Sequence, residues 1–181
     1  ARWPKSVALG ELELEPRVNW TSGLRAAWQP GEAGASANLE RFLNEAFDTY
    51  SDARNRPDIT GTSRLSPHLH FGEISPRQIW HGVANRASER GLAAEKWRGS
   101  QFLAELGWRE FAHHLLYHFP NTPTEPLRTD FLEFPWRKNT AWLHAWQKGR
   151  TGFPIVDAGM RELWATGWMH NRVRMIAASF L

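Results

Sequence analysis

Apolar residues recur along much of this chain at spacings of three and four, the period of a helix that buries one face. The clearest run begins at Leu39 and contains Phe42, Leu43, Ala46, Phe47 and Tyr50. It predicts an amphipathic helix from Leu39. A longer run, QFLAELGWREFAHHLLYHF, follows the capping residue Ser100 and stops at Pro120. Since no segment shows the two-residue alternation of a strand, the pattern predicts an all-α fold.

Serine-proline pairs and glycines mark the ends of shorter helices. Ser66-Pro67 and Ser75-Pro76 each place a hydroxyl before a proline at the first helical position, so both serines are predicted N-caps. Gly72 is predicted to end a single-turn helix between the two pairs. The second pair is predicted to begin a helix that reaches about Arg90. Further helices are predicted at about 141–148, from Pro154 to near Gly167, and from Met169 onward.

Both ends of the chain differ from its middle. The first 37 residues contain Pro4, Pro16, Pro30 and the small-residue string PGEAGASAN, with little apolar periodicity. This composition is typical of a linker, so residues 1–37 are predicted to be an interdomain entry segment and 38–181 part of a helical domain. The closing run RMIAASFL is apolar and helix-forming up to Leu181. We therefore expect the sequence to continue in a longer protein.

The composition narrows the classes of function. The chain carries 22 Lys and Arg against 19 Asp and Glu, and its 11 tryptophans greatly outnumber its 2 tyrosines. Positive charge with many flat rings favours a partner that offers phosphates and stackable bases, although most of these tryptophans are expected to fill the core. The absence of cysteine excludes disulfides and thiolate metal sites. With no bilayer-spanning run and no signal peptide, we expect a soluble cytoplasmic protein that uses no membrane.

Three groups of residues can carry chemistry. In Thr62–Pro67, three hydroxyls and an arginine lie at the approach to a helix. This arrangement is compatible with an anion-binding site, but such residues more often only cap the helix. Glu105, Trp108, Arg109 and Ala112 share one helical stripe. Two interpretations fit that stripe. It lines a pocket in which the Trp stacks on a base, or it is a buried Glu-Arg ion pair beside a Trp of the core.

The third group lies near the end of the chain. Asn171, Arg174 and Met175 are predicted to share a helical face, with Arg172 pointing elsewhere. They could contact a heterocycle, although a helix with two arginines is more often a solvated surface. His114 and His118 have the spacing of a metal-binding pair but lack an HExxH context, so no metal site is predicted. The dinucleotide fingerprint, the P-loop and the GxSxG elbow are not found in the sequence.

Taken in order, several blocks resemble the DNA photolyase/cryptochrome family, and most closely its class I members, which repair cyclobutane pyrimidine dimers. The blocks are Tyr50 with Arg54, GTSRLSPHLHFGEISPRQ (61–78), ELGWREF (105–111), FPW (134–136), GRTGFPIVDAGMREL (149–163) and GWMHNRVRM (167–175). The resemblance implies that residues 38–181 are the N-terminal portion of a multi-helical FAD- and DNA-binding domain, truncated at its C-terminus. The family's N-terminal α/β antenna domain would be missing, which leaves any antenna chromophore unknown.

The resemblance also implies roles for individual residues. FAD would be held by Tyr50, Thr62, Ser63, Arg64, Leu65, Ser66, Asn171 and Arg174. The catalytic residues would be Glu105, Trp108, Asn171 and Met175, with Trp136 as the surface end of an electron-transfer chain. DNA would be contacted by Arg54, Glu105, Trp108, Arg109, Asn171, Arg172 and Met175.

The implied activity is light-driven repair of UV-damaged DNA by a monomer that associates with the nucleoid. Excited, reduced FAD would pass an electron to a flipped-out dimer, the ring bonds would split, and the electron would return to the flavin. Met175 favours cyclobutane-dimer repair. Family members that repair this dimer resemble the chain in ending this segment with methionine, whereas members that act on the (6-4) product typically have histidine at the same position. Two alternatives stay open: a cryptochrome-type blue-light receptor, and a basic helical module that binds nucleic acid without chemistry.

Overall fold

The computed structural model describes residues 5–135 and 137–181, and within those ranges it contains helices and no strand. Short 3-10 turns lie at Leu9–Leu12 and Thr129–Glu133. The α-helices, numbered in chain order, are α1 (Ser22–Ala27), α2 (Glu32–Glu45), α3 (Tyr50–Ala53), α4 (Ser66–His70), α5 (Pro76–Glu89), α6 (Ala94–Arg98), α7 (Gln101–His118), α8 (Thr140–Gln147), α9 (Pro154–Thr166) and α10 (Asn171–Ser179). The all-α prediction is confirmed. None of the described helices has the length and apolarity needed to cross a membrane.

The larger of two cores lies between α2, α5, α6 and α7 and is called the first core. Phe42 is fully buried at its centre. Its ring centroid lies 4.4 Å from that of Phe102 and 5.5 Å from that of Tyr50. Such tilted and edge-to-face contacts add attraction beyond the burial of apolar area. The buried residues of the first core are Ala35, Phe42, Leu43, Ala46, Leu65, Ile74, Ile79, Val83, Ala87, Trp97, Phe102 and Leu103.

The smaller core, called the second core, lies between α9 and α10 and is flanked by α8. It contains Val156, Met160, Met169, Val173 and Ala177, with Trp146 packed against them. The Trp146 indole N–H donates to the Ala177 carbonyl at 2.8 Å and so fastens α8 to α10. A Cβ at Gly159 would lie 2.3 Å from Val173 Cγ1. The absence of a side chain at Gly159 is therefore what lets α9 and α10 approach closely.

Helix α1, which the sequence pattern did not predict, packs against α9, and the Trp28 ring at its end lies edge-on to His68 of α4, with ring centroids 6.1 Å apart. A Cβ at Gly23 would lie 1.9 Å from the Ala165 carbonyl oxygen, so α1 crosses α9 almost backbone to backbone. The Trp28 indole N–H then donates to the Thr166 carbonyl at 2.7 Å. Small residues allow this close packing but produce no amphipathic signal. The division of the chain after residue 37 stays a prediction.

The ends of the helices agree with the sequence in part. Ser75 forms a capping box with Gln78, and the Ser100 hydroxyl accepts the Leu103 N–H, as predicted. Gly72, which was predicted to end the single-turn helix, has φ of 73° just beyond α4. The prediction that Ser66 caps α4 is wrong: Leu65 is the N-cap and Ser66 is already helical.

Two helices begin at other residues than predicted, and two short helices were not predicted. Helix α2 begins at Glu32 rather than Leu39, because Gly34 and Ala35 are buried although they carry almost no apolar signal. Helix α10 begins at Asn171 rather than Met169, because the His170 side chain caps it. The short helices α3 and α6 were not predicted, and at four and five residues they are too short to show a period.

Candidate functional site

A cleft of about 400 Å³ lies on the first core, between α3, the loop that precedes α4, and α7. It brings together side chains that are distant in the sequence and that the sequence analysis had selected on separate grounds. Those on its lining are Tyr50, Ser63, Leu65, Ser66, Glu105 and Arg109. The remaining lining is largely apolar and includes Leu69, Ile79, Phe102 and Leu106. The cleft therefore combines an apolar floor with a few converging polar groups, as ligand sites commonly do.

Tyr50 is fixed by the packing of the first core. Its ring lies edge-on to Phe42 and to Phe102, at centroid distances of 5.5 and 5.4 Å. Burial raises the pKa of the Tyr50 phenol, and the neighbouring Arg54 partly offsets this rise. The phenol is consequently neutral at physiological pH and can donate a hydrogen bond into the cleft.

The loop Gly61–Ser66 forms one wall and is held under strain. Arg64 has φ of 54°, a left-handed conformation that is unfavourable for a residue other than glycine. On one side of the loop, Arg41 Nη2 donates to the Thr62 carbonyl at 3.5 Å. Inside the loop, the Ser63 hydroxyl accepts the Leu65 N–H at 3.4 Å. Thr62 thus contributes a carbonyl that is already engaged by Arg41.

Two guanidinium nitrogens beside this loop are buried without a hydrogen-bond partner among the described residues, Arg41 Nη1 and Arg64 Nε. Buried donors are nearly always satisfied in folded proteins, so such atoms call for an acceptor. An anionic oxygen is the strongest acceptor for arginine. Neither arginine is on the lining of the cleft, so the anion site at Thr62–Pro67 stays a prediction.

Glu105 and Arg54 meet at the cleft. Arg54 Nη1 lies 2.6 Å from Glu105 Oε1, with side chains 15% and 32% exposed, so the pair is largely sheltered from water. Gln101 Nε2 donates to the same carboxylate oxygen at 2.7 Å. The Arg54 guanidinium also lies 5.7 Å from the centroid of the Tyr50 ring. One carboxylate oxygen of Glu105 is therefore held by both Arg54 and Gln101, and Glu105 lies on the lining of the cleft.

The stripe predicted on α7 divides between two environments. Arg109 lines the cleft beside Glu105 and donates to Glu110 at 2.6 Å and to the Leu69 carbonyl at 3.5 Å. Trp108 is 62% exposed and lies against Phe111, with ring centroids 5.8 Å apart. Glu105 and Arg109 therefore both lie on the lining of the cleft, while the Trp108 ring is presented to solvent.

The start of α10 is tied to the turn that follows α3. Arg172 Nε and Nη2 donate to the Asn55 side-chain oxygen at 2.9 and 2.7 Å. Arg172 Nη1 also approaches Met175 Sδ at 3.5 Å, so the prediction that Arg172 points away from Met175 is wrong. These two residues are three apart and meet on one helical face. Arg174 turns back to the Met169 carbonyl at 3.5 Å, and Asn171 is exposed.

His170 holds this end of α10 in place. Its Nδ1 accepts the Arg172 N–H at 3.2 Å, and the side chain is only 2% exposed. Burial lowers the pKa of the imidazole, and the positive charge of Arg172 lowers it further. The neutral ring therefore keeps the lone pair that caps the helix. Sequence reasoning missed His170 as a cap, although its place immediately before Asn171 is a usable signal.

Other contributors had no local signal. Arg41, Asn55 and Trp168 act on site residues that are distant in the sequence. Asp157 acts locally on the turn before α9, where its carboxylate accepts from the Thr151 N–H, the Thr151 hydroxyl and the Gly152 N–H at 2.7 to 3.0 Å. Trp136, the predicted end of an electron-transfer chain, lies outside the described residues. Within those residues, no group of three potential metal ligands was found.

Comparisons with known proteins agree with this geometry. A family profile for the FAD binding domain of DNA photolyase matches residues 102–181. A deoxyribodipyrimidine photo-lyase of Agrobacterium fabrum is 46% identical over 180 residues, which are 99% of this chain and 37% of that protein. Cryptochrome-1 of Arabidopsis thaliana is 41% identical over 164 residues, which are 87% of this chain and 24% of that protein. The chain thus spans little more than a third of the first relative.

Solved structures give the same result. A bacterial class III photolyase from Agrobacterium tumefaciens superposes with a TM-score of 0.90 at 45% identity, covering 99% of this chain and 37% of the solved one. A cryptochrome from Synechocystis superposes with a TM-score of 0.79 at 30% identity, over the same shares of the two chains. Since the sequence and the helical fold agree, the chain belongs to the DNA photolyase/cryptochrome family and forms part of its helical domain, for which FAD is the cofactor.

Proposed function

We propose that the whole protein containing this chain is a photolyase that splits cyclobutane pyrimidine dimers in UV-damaged DNA, with light as the energy source and reduced FAD as the electron donor. The observation that carries the proposal is the cleft on the first core, where the Tyr50 phenol, the hydroxyls of Ser63 and Ser66, and the charged Glu105 and Arg109 converge. The similarity to named photolyases supports it. The assignment to class I stays a prediction, since the solved relative is described as class III.

The residues present fit the charged part of FAD. A diphosphate offers many acceptors and no donor, which would match the donors that line the cleft, and Arg64 would hold the loop that carries Ser63 and Ser66. Tyr50 would donate its phenol hydrogen, and the hydroxyls of Ser63 and Ser66 would complete the contacts. When bound and reduced, FAD supplies the light-absorbing donor, and the protein supplies binding and orientation.

The chain's own residues would also place the lesion. Exposed Trp108 would stack on a flipped-out base, since aromatic rings hold unstacked bases without reading their sequence. Glu105, fixed by Arg54, would present its carboxyl group to the polar edge of the damaged pyrimidines. Asn171 and Met175 would form the facing wall from α10, with Arg172 near the phosphates and Arg174 beside the flavin.

The decisive test uses the whole protein with its bound flavin reduced. It is mixed with a UV-irradiated thymine oligonucleotide, and cyclobutane dimers are counted after blue light and after the same time in darkness. We expect dimers to disappear in the light only. A flavin-loaded protein that repairs nothing would instead favour the blue-light receptor, which the similarity to cryptochromes supports. A protein that binds damaged DNA but no flavin would contradict both flavin-dependent functions and favour a module that binds nucleic acid without chemistry.

A residue-level test addresses lesion binding. Trp108→Ala is expected to weaken binding to dimer-containing DNA by about 1 to 3 kcal/mol, the usual contribution of one stacked base, with flavin content unchanged. Trp164→Ala is the matched control, because Trp164 is also highly exposed, at 84%, but lies on α9. Equal losses in the two variants would contradict the stacking role of Trp108.

A further inference from the structure

Arg64 occupies an unusual position in the loop Gly61–Ser66. Its neighbours Ser63, Leu65 and Ser66 line the cleft. The Arg64 guanidinium instead lies 4.4 Å from the centroid of the Trp168 ring. This distance is well within the range of a favourable cation–π interaction, which is stronger when it is shielded from water. Both residues are partly buried.

The left-handed backbone of Arg64 needs an external support. Residues other than glycine keep a positive φ only where the surrounding structure fixes it. Gly61 supplies one support by packing against α3, where a Cβ would lie 2.7 Å from the Ala53 carbonyl oxygen. Arg41 supplies another at the Thr62 carbonyl. Both act on the start of the loop, whereas the contact with Trp168 acts on Arg64 itself.

Trp168 is rigidly mounted on the second core. Its backbone N–H donates to the Thr166 hydroxyl at 3.2 Å, and the Thr166 carbonyl accepts the Trp28 indole N–H. The next residue, Met169, is 3% exposed within the second core. The ring therefore reaches the Gly61–Ser66 loop from an element that is well separated from it in sequence.

We propose that Trp168 is a positioning residue for FAD binding. Its ring holds the Arg64 side chain, which keeps the backbone of Arg64 in the turn that directs Ser63 and Ser66 into the cleft. Trp168 acts through Arg64 and through the shape of the loop. This inference rests on the proposed function, since it takes the ligand of the cleft to be the diphosphate of FAD.

The test is a double-mutant cycle on FAD binding in the whole protein. Flavin is removed, and the dissociation constant of FAD is measured by the quenching of its fluorescence. Trp168→Leu is expected to weaken binding roughly 3- to 30-fold, the loss that matches the usual strength of a cation–π contact. Trp168→Phe, which keeps an aromatic face, is expected to lose less. Trp164→Leu, an exposed tryptophan on α9, is the control and is expected to change nothing.

The second arm separates positioning from general packing. In the Arg64→Met background, Trp168→Leu and Trp168→Phe are expected to cause no further loss, because the cation they act through is gone. Circular dichroism and thermal unfolding of the flavin-free variants report the fold. If Trp168→Leu does not fold, Trp168→Phe in the two backgrounds carries the same comparison.

The outcomes separate the two proposals. A wild-type protein that binds no FAD overturns the proposed function, and this inference with it. A wild-type protein that binds FAD, with equal losses for the Trp168 variants in both backgrounds, overturns only the positioning role. Unchanged FAD binding in every Trp168 variant also overturns only the positioning role of Trp168.

Discussion

The two cores carry different parts of the site. The first core is large and built around interlocking rings, with Phe42 fully buried and in contact with Phe47, Tyr50 and Phe102. The second core has five buried residues within the described ranges, and much of the surface of its helices is exposed and apolar, including Ile155, Leu163, Trp164, Met175 and Ile176. The cleft belongs to the first core, whereas Asn171, Arg172 and Met175 belong to a helix of the second.

The difference shows where the site is vulnerable. The walls of the cleft are set by packing within one core, so the cleft is held by many contacts at once. The placement of α10 against it depends on a few named contacts between the cores, among them Arg172 with Asn55, Trp28 with Thr166, and Arg64 with Trp168. A change in the first core is therefore expected to affect stability most, and a change between the cores to affect geometry most.

The largest effect is expected in the first core. Phe42→Ala removes a fully buried ring and leaves a cavity, which should lower the free energy of unfolding by about 3 to 5 kcal/mol. Urea unfolding followed by circular dichroism measures the change. Phe119→Ala is the control, because Phe119 is 49% exposed and should lose much less. Similar losses in both variants would contradict the central role assigned to Phe42.

A smaller effect is expected where the second core is tightest. Gly159→Ala places a methyl group 2.3 Å from the Val173 side chain, which is too close, so α9 and α10 must separate. Overpacking of this kind costs about 1 to 3 kcal/mol of stability. The control is Gly107→Ala on α7, where a Cβ meets nothing within 4 Å. That change is expected to stabilise the helix by about 0.5 to 1 kcal/mol, so a loss there would count against the reasoning.

A weaker effect is expected at the link between α3 and α10. Asn55→Ala removes the acceptor of two Arg172 hydrogen bonds at an exposed position, which should reduce stability by no more than about 1 kcal/mol. A cycle with Arg172→Met, measured by urea unfolding, gives the coupling between the two side chains. Strictly additive effects would show that this contact does not help to hold α10.

The smallest effect concerns pH. Since burial lowers the pKa of His170, the unfolded chain binds its proton more readily than the folded protein. The contribution of His170 to the free energy of unfolding is therefore fully present above its unfolded pKa of about 6.5. It is lost as the pH falls through the lower pKa of the folded protein. His170→Asn keeps a capping oxygen but cannot be protonated. Between pH 7 and 5, the wild type should lose more thermal stability than this variant, and parallel losses would contradict the assignment.

The amino-acid sequence determined the all-helical fold and several helix ends, because those depend on residues three or four positions apart. The Ser75 cap and the Leu39–Leu43 part of the predicted run, which lies in α2, are examples; the rest of that run does not continue α2, which ends at Glu45. Resemblance to known proteins also selected six side chains that meet in the cleft, Tyr50, Ser63, Leu65, Ser66, Glu105 and Arg109. The individual roles of these residues stay predictions, as do those of Thr62, Arg64, Trp108, Asn171 and Arg174.

Only the tertiary structure decided how the site is held together. No local pattern indicates that Trp168 lies over Arg64, that Arg172 binds Asn55, or that the glycine in α1 crosses α9. These contacts join residues that are far apart in the chain, and they exist because two separately packed cores must fit against each other. Local periodicity specifies which face of a helix is buried, but the partner of that face is decided by shape and by long-range packing.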